Sequence, residues 1–180
     1  PTDNFSSNLT GKIYFFKVED DQVTETASFE PDLSGNAAFG LISDMESDLA
    51  IVSAPDNQFG SGAVVIYRKG DNGWAEEQVI SPEQGYNTMS FGAGVSISGD
   101  WVAIGSYLYG PGGSGFVSVV FMYQFVDGEW VMQQMIEDFT ATSSVTTPSW
   151  NVGHHDKSLV FGHRYPGTGS AFVDGGAEFY

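Results

Sequence analysis

The stretch "FGAGVSISGDWVAIGS", residues 91–106, decides the fold of this chain. Its Phe-Gly pair is followed by a short strand-like run, "GVSIS", and then by a tight "GD" turn at 99–100. The run after the turn, "WVAIGS", is almost wholly apolar, which is typical of a strand buried on both faces. The stretch therefore predicts a hairpin whose second strand lies inside the protein.

The same pattern occurs elsewhere in the chain in two independent registers. Aligning residues 37–55 with residues 89–106 matches Phe39-Gly40 to Phe91-Gly92, 52 residues apart. The segment "KSLVFGH" (157–163) is a further copy of the buried run. In the second register a glycine opens an aromatic-ended strand four times, in "GKIYFF", "GAVVIY", "GFVSVVF" and "GAEFY", at Gly11, Gly62, Gly115 and Gly176. Two registers with about the same period indicate an internal structural repeat.

Each repeat reads as four short strands. The third strand is "GAVVIYRK" or "FVSVVFMYQF", and the turns "GDNG" (70–73) and "VDGE" (126–129) lead into "WAEEQVI" and "WVMQQMI". No segment shows a capped helix with a 3.6-residue period. The sequence therefore predicts an all-β fold, a β-propeller of four-stranded antiparallel blades. Four aromatic residues are predicted to fill the space between blades: Phe39, Trp74, Phe91 and Trp130.

The repeat divides the chain into four approximate units. Residues 1–36 form a partial blade, 37–86 and 87–140 form whole blades, and 141–180 form a partial, divergent blade without the Phe-Gly. About three repeats are present, whereas propellers have roughly 4–8 blades. We therefore expect a segment of a larger ring, completed by further chain or by other subunits.

The residue pattern of the repeat resembles that of a known family. "FGAGVSISGDWVAIGS…GSGFVSVVF…W…I" and "FGLISDMESDLAIVSAP…GSGAVVIY…W…I" are similar to FG-GAP repeats, the blades of integrin-α-type propellers. The resemblance covers nearly the whole chain and is closest to the variant that is poor in calcium motifs. It implies a propeller fold and a role in extracellular recognition.

Composition limits the classes of partner. The chain has 41% hydrophobic residues, six Lys plus Arg against 23 Asp plus Glu, and a net charge of −17. Such a surface repels nucleic-acid phosphates and anionic lipids, because it lacks the cations that would pair with them. No apolar run approaches the ~18 residues of a membrane span. We expect no nucleic-acid binding and no direct membrane insertion.

Two glycosylation sequons favour an extracellular or cell-surface location. Asn4-Phe5-Ser6 and Asn8-Leu9-Thr10 lie in a polar, loop-like stretch where a glycan would be accessible. The chain has no cysteine, and therefore neither disulfides nor a thiol nucleophile. Asn4 and Asn8 are the predicted glycosylation sites of a secreted, acidic repeat glycoprotein.

The family resemblance raises the question of calcium. Integrin-type blades hold it in an Asp-rich loop between the first two strands, and here that loop is "SDMESDLA" (43–50). Asp44, Glu46 and Asp48 alternate like oxygen ligands, but the loop is short and lacks the turn glycine. An acidic solvated hairpin is the favoured interpretation, and no cofactor is expected. His154 and His155 are neighbours on a predicted strand and point to opposite faces, which disfavours a zinc site.

Catalytic motifs do not stand out. The sequence has no Gly-x-Ser-x-Gly elbow, and the Gly-rich "YGPGGSG" (109–115) is followed by neither a lysine nor a helix. Carboxylate pairs for glycoside hydrolysis are numerous, but none is marked by an apolar setting. A non-enzymatic protein is therefore predicted.

The predicted binding residues lie in the loop between the second and third strands. They are Asp56, Asn57, Tyr107, Tyr109 and Tyr165. Tyrosine beside Asp or Asn suits sugar or protein recognition, because a flat apolar face adjoins hydrogen-bonding groups. The alternative is that the tyrosines pack on the blade edge.

These observations predict a structural or adhesive extracellular propeller that presents loops to a protein or glycan within a larger assembly. Two alternatives remain. One is an accessory or catalytic propeller domain of a secreted carbohydrate-active enzyme, and the other is a calcium-dependent, integrin-like ligand-binding propeller.

Overall fold

A computed structural model of the 180-residue chain describes eight stretches of it. They are residues 11–33, 38–55, 61–83, 88–109, 116–137, 151–155, 158–162 and 175–178. Within them every regular element is a β-strand, which confirms the all-β fold class.

The strands form four antiparallel sheets, which we number in chain order. Sheet 1 contains β1 (Ile13–Glu19) and β2 (Gln22–Phe29). Sheet 2 contains β3 (Ser43–Glu46), β4 (Leu49–Ala54), β5 (Ala63–Gly70) and β6 (Gly73–Ile80). Sheet 3 contains β7 (Thr88–Ser98), β8 (Trp101–Tyr109), β9 (Phe116–Val126) and β10 (Glu129–Glu137). Sheet 4 contains β11 (Asn151–His155), β12 (Ser158–Gly162) and β13 (Gly175–Glu178).

Each sheet falls within one of the predicted units. In sheets 2 and 3 the four strands follow one another in chain order, as a meander of hairpins. The turns predicted at 70–73 and 126–129 connect the third strand to the fourth, and Asp127 and Gly128 have positive φ values of 53° and 93°. Asp and Gly adopt this conformation at low cost, which is why they occur here. The predicted unit boundaries themselves lie in or beside stretches outside the described residues.

The core lies between sheets. One layer joins Phe15 of sheet 1 to Val65 and Tyr67 of sheet 2, and a second joins the opposite face of sheet 2 to sheet 3. A third layer joins Val120 of sheet 3 to Leu159 of sheet 4. Because each strand alternates its side chains, every inner sheet supplies one apolar face to each neighbour. Stacked sheets of this kind are consistent with propeller blades.

The predicted interblade aromatic residues lie in these layers. Phe39, Phe91 and Trp130 are buried, and Trp74 is half-buried with its ring stacked on Phe15 at a centroid distance of 4.2 Å. The prediction that these four side chains pack between sheets is confirmed.

The repeated glycines mark a close contact with the Phe-Gly of the next sheet. Gly62 has φ +87°, and a Cβ atom there would lie 2.2 Å from the carbonyl oxygen of Phe91. The Phe91 N–H donates to the Ser61 carbonyl at 3.0 Å. A Cβ on Gly11 would similarly meet the carbonyl oxygen of Phe39. Glycine opens the third strand because the neighbouring backbone occupies the space of a side chain.

Two predicted boundaries in sheet 3 were wrong. β7 begins at Thr88, upstream of Phe91-Gly92. The Phe-Gly pair lies within the strand, where the pairing with β8 shifts in register between Met89 and Gly94. β8 continues to Tyr109, which pairs with Phe116. The aromatic and β-branched residues on both strands favour continued pairing, so the strands extend into the predicted loop.

The outermost strands β2, β6 and β10 share an irregularity. Their pairing with β1, β5 and β9 shifts at Thr26, Glu77 and Gln133, which have no residue opposite them in the backbone register. Counted from each hairpin turn, the three bulges occupy the same position.

Candidate functional site

Asp44 on β3 connects sheet 2 to sheet 3. Its Oδ2 accepts hydrogen bonds from the Ile97 N–H at 2.9 Å and from the Ser96 hydroxyl at 3.1 Å. Its Oδ1 accepts from the Met45 N–H at 2.9 Å. Hydrogen bonds to a charged acceptor are stronger than neutral ones, so this carboxylate fixes the first strands of the two sheets against each other.

The next pair of sheets repeats this contact. Ser96 occupies in sheet 3 the position that Asp44 occupies in sheet 2, counted from the hairpin turn. Its hydroxyl oxygen accepts from the buried backbone N–H of His154 at 3.0 Å. A polar side chain at this position therefore binds the first strand of the following sheet at both interfaces.

The predicted calcium ligands do not assemble around a common point. Glu46 accepts from the Gly99 N–H of sheet 3, and the Asp48 backbone carbonyl accepts from the Lys69 N–H at 2.8 Å. Among the described residues, no group of three His, Cys, Asp or Glu side chains is placed to hold a metal ion. The Asp44 and Glu46 carboxylates each accept a hydrogen bond from a backbone N–H of sheet 3, those of Ile97 and Gly99. Calcium dependence stays a prediction for experiment.

Replacing Asp44 with alanine is expected to lower the free energy of unfolding by about 1–3 kcal/mol, because the Ile97 N–H loses its acceptor. Asp48→Ala, which removes an exposed carboxylate, is the matched control, with an expected change within about 0.5 kcal/mol. Urea unfolding with calcium and with a chelator measures both effects. A loss that appears only when calcium is present would instead make Asp44 a calcium ligand.

A second polar contact joins the outer strands of sheets 2 and 3. The Gln78 side chain accepts from the Trp130 N–H at 2.8 Å and donates to the Trp130 carbonyl at 3.1 Å. The Trp130 indole N–H donates to Glu77 Oε2 at 2.8 Å. Two adjacent side chains of β6 thus hold the backbone and the ring of one tryptophan on β10.

Arg68 completes this contact. Its guanidinium pairs with both oxygens of Glu77 and lies 4.7 Å from the centre of the Phe125 ring. An arginine placed between a carboxylate and an aromatic face combines an ion pair with a cation–π interaction. The polar groups at this interface are therefore engaged in joining sheets.

Of the five predicted binding residues, the structure describes Tyr107 and Tyr109. Tyr107 and Tyr109 lie on β8 rather than in a loop, and the Tyr107 ring is buried. The burial of Tyr107 favours the alternative interpretation, in which the tyrosines pack on the blade edge. Asp56, Asn57 and Tyr165 lie outside the described residues, as do the sequon residues Asn4 and Asn8.

Tyr67 is a buried phenol without a hydrogen-bond partner within the described stretches. Burial, followed by the charge of Glu76, raises its pKa above the ordinary value of 10. The folded state therefore holds the neutral phenol. The contribution of the neutral Tyr67 phenol to the free energy of unfolding is fully present below pH 10. It is lost as the pH rises from there towards the raised pKa of the folded state.

Tyr67→Phe is expected to leave stability at pH 7 unchanged or higher by up to about 1 kcal/mol, because a buried unpaired hydroxyl is removed. Above pH 10 the variant should lose less stability than the wild type. Tyr14→Phe, which changes a half-exposed ring, should follow the wild-type curve. Thermal unfolding between pH 7 and 11 tests this, and parallel curves for wild type and Tyr67→Phe would contradict it.

Sequence reasoning did not identify the polar contacts between sheets. Asp44 and Ser96 are 52 residues apart, and so are Gln78 and Trp130. That separation equals the offset between the two Phe-Gly pairs. Polar residues separated by one repeat length were therefore the sequence signal that could have identified these contacts.

In the part of the chain that the structure describes, no helix is long and apolar enough to cross a membrane. His154 is buried and His155 is exposed, as expected for neighbours on a strand.

The stacked four-stranded sheets place this chain among the all-β proteins built from propeller-type blades. The sequence model of the FG-GAP repeat matches residues 74–121, in agreement with the repeat found in the sequence. The match runs from the outer strand of sheet 2 to the third strand of sheet 3 and includes Phe91-Gly92. No curated protein matches the chain.

Proposed function

We propose that this chain is a non-enzymatic, extracellular or cell-surface propeller segment that presents loops to a protein or glycan partner within a larger assembly. The observation that carries the proposal is the use of polar side chains between sheets. Asp44, Gln78, Glu77 and Ser96 all bind groups of the neighbouring sheet. Because these polar side chains already hold the sheets together, they favour a framework that presents surface loops over a site that performs chemistry between the sheets.

The loops at one end of the framework are the proposed recognition surface. In sheet 2 the turns at 47–48 and 71–72 lie at one end of the strands, and the loop that joins β4 to β5 lies at the other. Loops on a rigid framework commonly carry binding residues. Asp56 and Asn57 belong to that loop by sequence, and their amide and carboxylate groups suit sugar hydroxyls or backbone amides.

Binding to arrays of glycans and extracellular proteins tests the proposal. The double variant Asp56→Ala/Asn57→Ala should lose at least about 90% of the signal, since hydrogen bonds to charged groups contribute about 1.5–3 kcal/mol each. Asp71→Ala/Asn72→Ala removes the same residue types from the opposite end and should bind like the wild type. No partner, or equal loss in both variants, would refute the role of this loop.

The two alternatives give different results. Reducing sugar released from polysaccharides by the purified chain would support the carbohydrate-active enzyme. Array binding that a chelator abolishes would support the calcium-dependent ligand binder. Intact mass before and after glycosidase treatment tests Asn4 and Asn8 as glycosylation sites, and with them the proposed extracellular location.

A further inference from the structure

The turn that joins β5 to β6 leads into the strand through the pair Asn72-Gly73. No other asparagine of the sequence precedes a glycine. Asn72 is exposed at the tip of the hairpin, and Gly73 is half-exposed. The pair therefore lies where solvent reaches both residues.

Neighbouring groups leave this pair unconstrained. Gly73 has φ +99°, and a Cβ atom added there would meet no other atom within 4 Å. Among the described residues, none holds the Asn72 side chain by a hydrogen bond or an ion pair. The Asn72 carboxamide can therefore rotate towards the peptide nitrogen of Gly73, and no side chain shields that nitrogen.

An asparagine side chain can react with the peptide nitrogen that follows it. Once base has removed the Gly73 N–H proton, the nitrogen attacks the side-chain carbonyl carbon of Asn72, a C–N bond forms and ammonia leaves. Water then opens the resulting cyclic imide at either carbonyl group, which gives aspartate or isoaspartate. The overall reaction consumes water, releases ammonia and involves no oxidation or reduction.

The rate of such an intramolecular reaction depends on how closely the two groups approach. Glycine permits the closest approach, because it has no side chain and its backbone adopts a wide range of conformations. The pair Asn72-Gly73 combines this neighbour with an exposed turn. Both the sequence and the structure therefore favour the reaction at this position.

Asn151 provides the contrast within the described part of the chain. It lies on β11, pairs with Gly162 and is followed by the β-branched Val152. Strand pairing holds its backbone extended, and the branched side chain crowds the approach to the Val152 nitrogen. Asparagine is a thermolabile residue in general, but the two positions differ in the neighbour and in the backbone freedom on which this reaction depends.

We propose that Asn72 is a site of covalent modification, at which the chain converts its own asparagine to aspartate and isoaspartate. The inference goes beyond the proposed function, because the reaction requires water alone and no partner. Its test is a change of mass at a defined residue, and the outcome is independent of the binding arrays.

The isoaspartate product should act on the layer between sheets 1 and 2. It adds one backbone carbon between residue 72 and Gly73, directly before the pairing of Lys69 with Trp74. The Trp74 ring stacks on Phe15 of sheet 1 at a centroid distance of 4.2 Å. Because side chains alternate along a strand, a longer hairpin end disturbs the register of Trp74 and should loosen this stack. Aspartate adds a charge but keeps the length of the backbone.

The test follows the intact, folded chain during incubation between pH 7 and pH 9. Peptide mapping by mass spectrometry measures the loss of the side-chain amide at each asparagine, and a protein-isoaspartate methyltransferase identifies isoaspartate. Amide loss at Asn72 should rise with pH and exceed that at Asn151 at least about tenfold. Asn72→Gln is the matched control and should keep its amide, because its longer side chain must close a larger ring.

Equal amide loss at Asn72 and Asn151 would overturn the proposal. Amide loss at Asn72 that occurs only after unfolding in urea would also overturn it, because the folded turn would then protect the residue.

The effect on the hairpin is measured on the isoaspartate form, isolated by ion exchange. Asn72→Asp is the control, since it adds the same charge at the ordinary backbone length. The isoaspartate form should unfold at a lower urea concentration than Asn72→Asp. Equal unfolding midpoints would overturn the expected loosening of Trp74.

Discussion

Gly62→Ala is expected to cause one of the two largest losses of stability in this chain. The added Cβ would lie 2.2 Å from the Phe91 carbonyl oxygen and 2.4 Å from its nitrogen. Both atoms belong to backbone in the adjoining sheet, so the contact is relieved only by moving the sheets apart. The hydrogen bond from the Phe91 N–H to the Ser61 carbonyl would be lost with it.

Gly73→Ala separates the clash from backbone strain. Gly73 also has a positive φ, +99°, but a Cβ atom added there would meet no other atom within 4 Å. This variant should cost about 1–2 kcal/mol, the usual strain of a left-handed alanine. Gly62→Ala should cost at least about twice as much. Urea denaturation of both variants provides the comparison, and equal losses would show that the contact with Phe91 contributes nothing.

Phe91→Ala is expected to produce the second large loss, about 3–5 kcal/mol. The ring is fully buried and packs against Phe121 at a centroid distance of 5.4 Å and against Tyr123 at 6.4 Å. Its removal leaves a cavity in the layer between sheets 2 and 3, and the rigid backbone around Gly62 limits collapse of that cavity.

Phe16→Ala is the matched control, because it makes the same chemical change at a half-exposed ring. Its expected cost is within about 1 kcal/mol. Chemical denaturation at equal protein concentration measures both variants. A Phe91→Ala protein as stable as Phe16→Ala would contradict the assignment of the Phe-Gly pair to the core.

Much of the fold was predictable because the repeat occurs in two registers. The spacing of Phe39 and Phe91 indicated the length of the repeat, and the turns at 70–73 and 126–129 predicted the hairpins between the third and fourth strands. Alternation of side chains along a strand then assigned aromatic residues to the layers between sheets. The end of β8 was missed, because a strand extends wherever its partner continues to pair, and the partner β9 is distant in sequence.

The polar contacts were harder to predict for a physical reason. The local sequence around Asp44 is typical of a surface acid or a metal ligand. Its role in the structure depends instead on the Ile97 N–H of another sheet. The same holds for Gln78 and Trp130. Local patterns report secondary structure, whereas these roles arise when two sheets come together. The binding role of Asp56 and Asn57 remains a prediction from sequence.

The bulges in β2, β6 and β10 bear on how the protein avoids aggregation. A regular outer strand presents an unbroken row of hydrogen-bonding groups that another molecule could extend into a fibril. The bulge residues Thr26, Glu77 and Gln133 interrupt that row at the same position in three sheets. The outer edges of these three sheets are thereby poor templates for self-association.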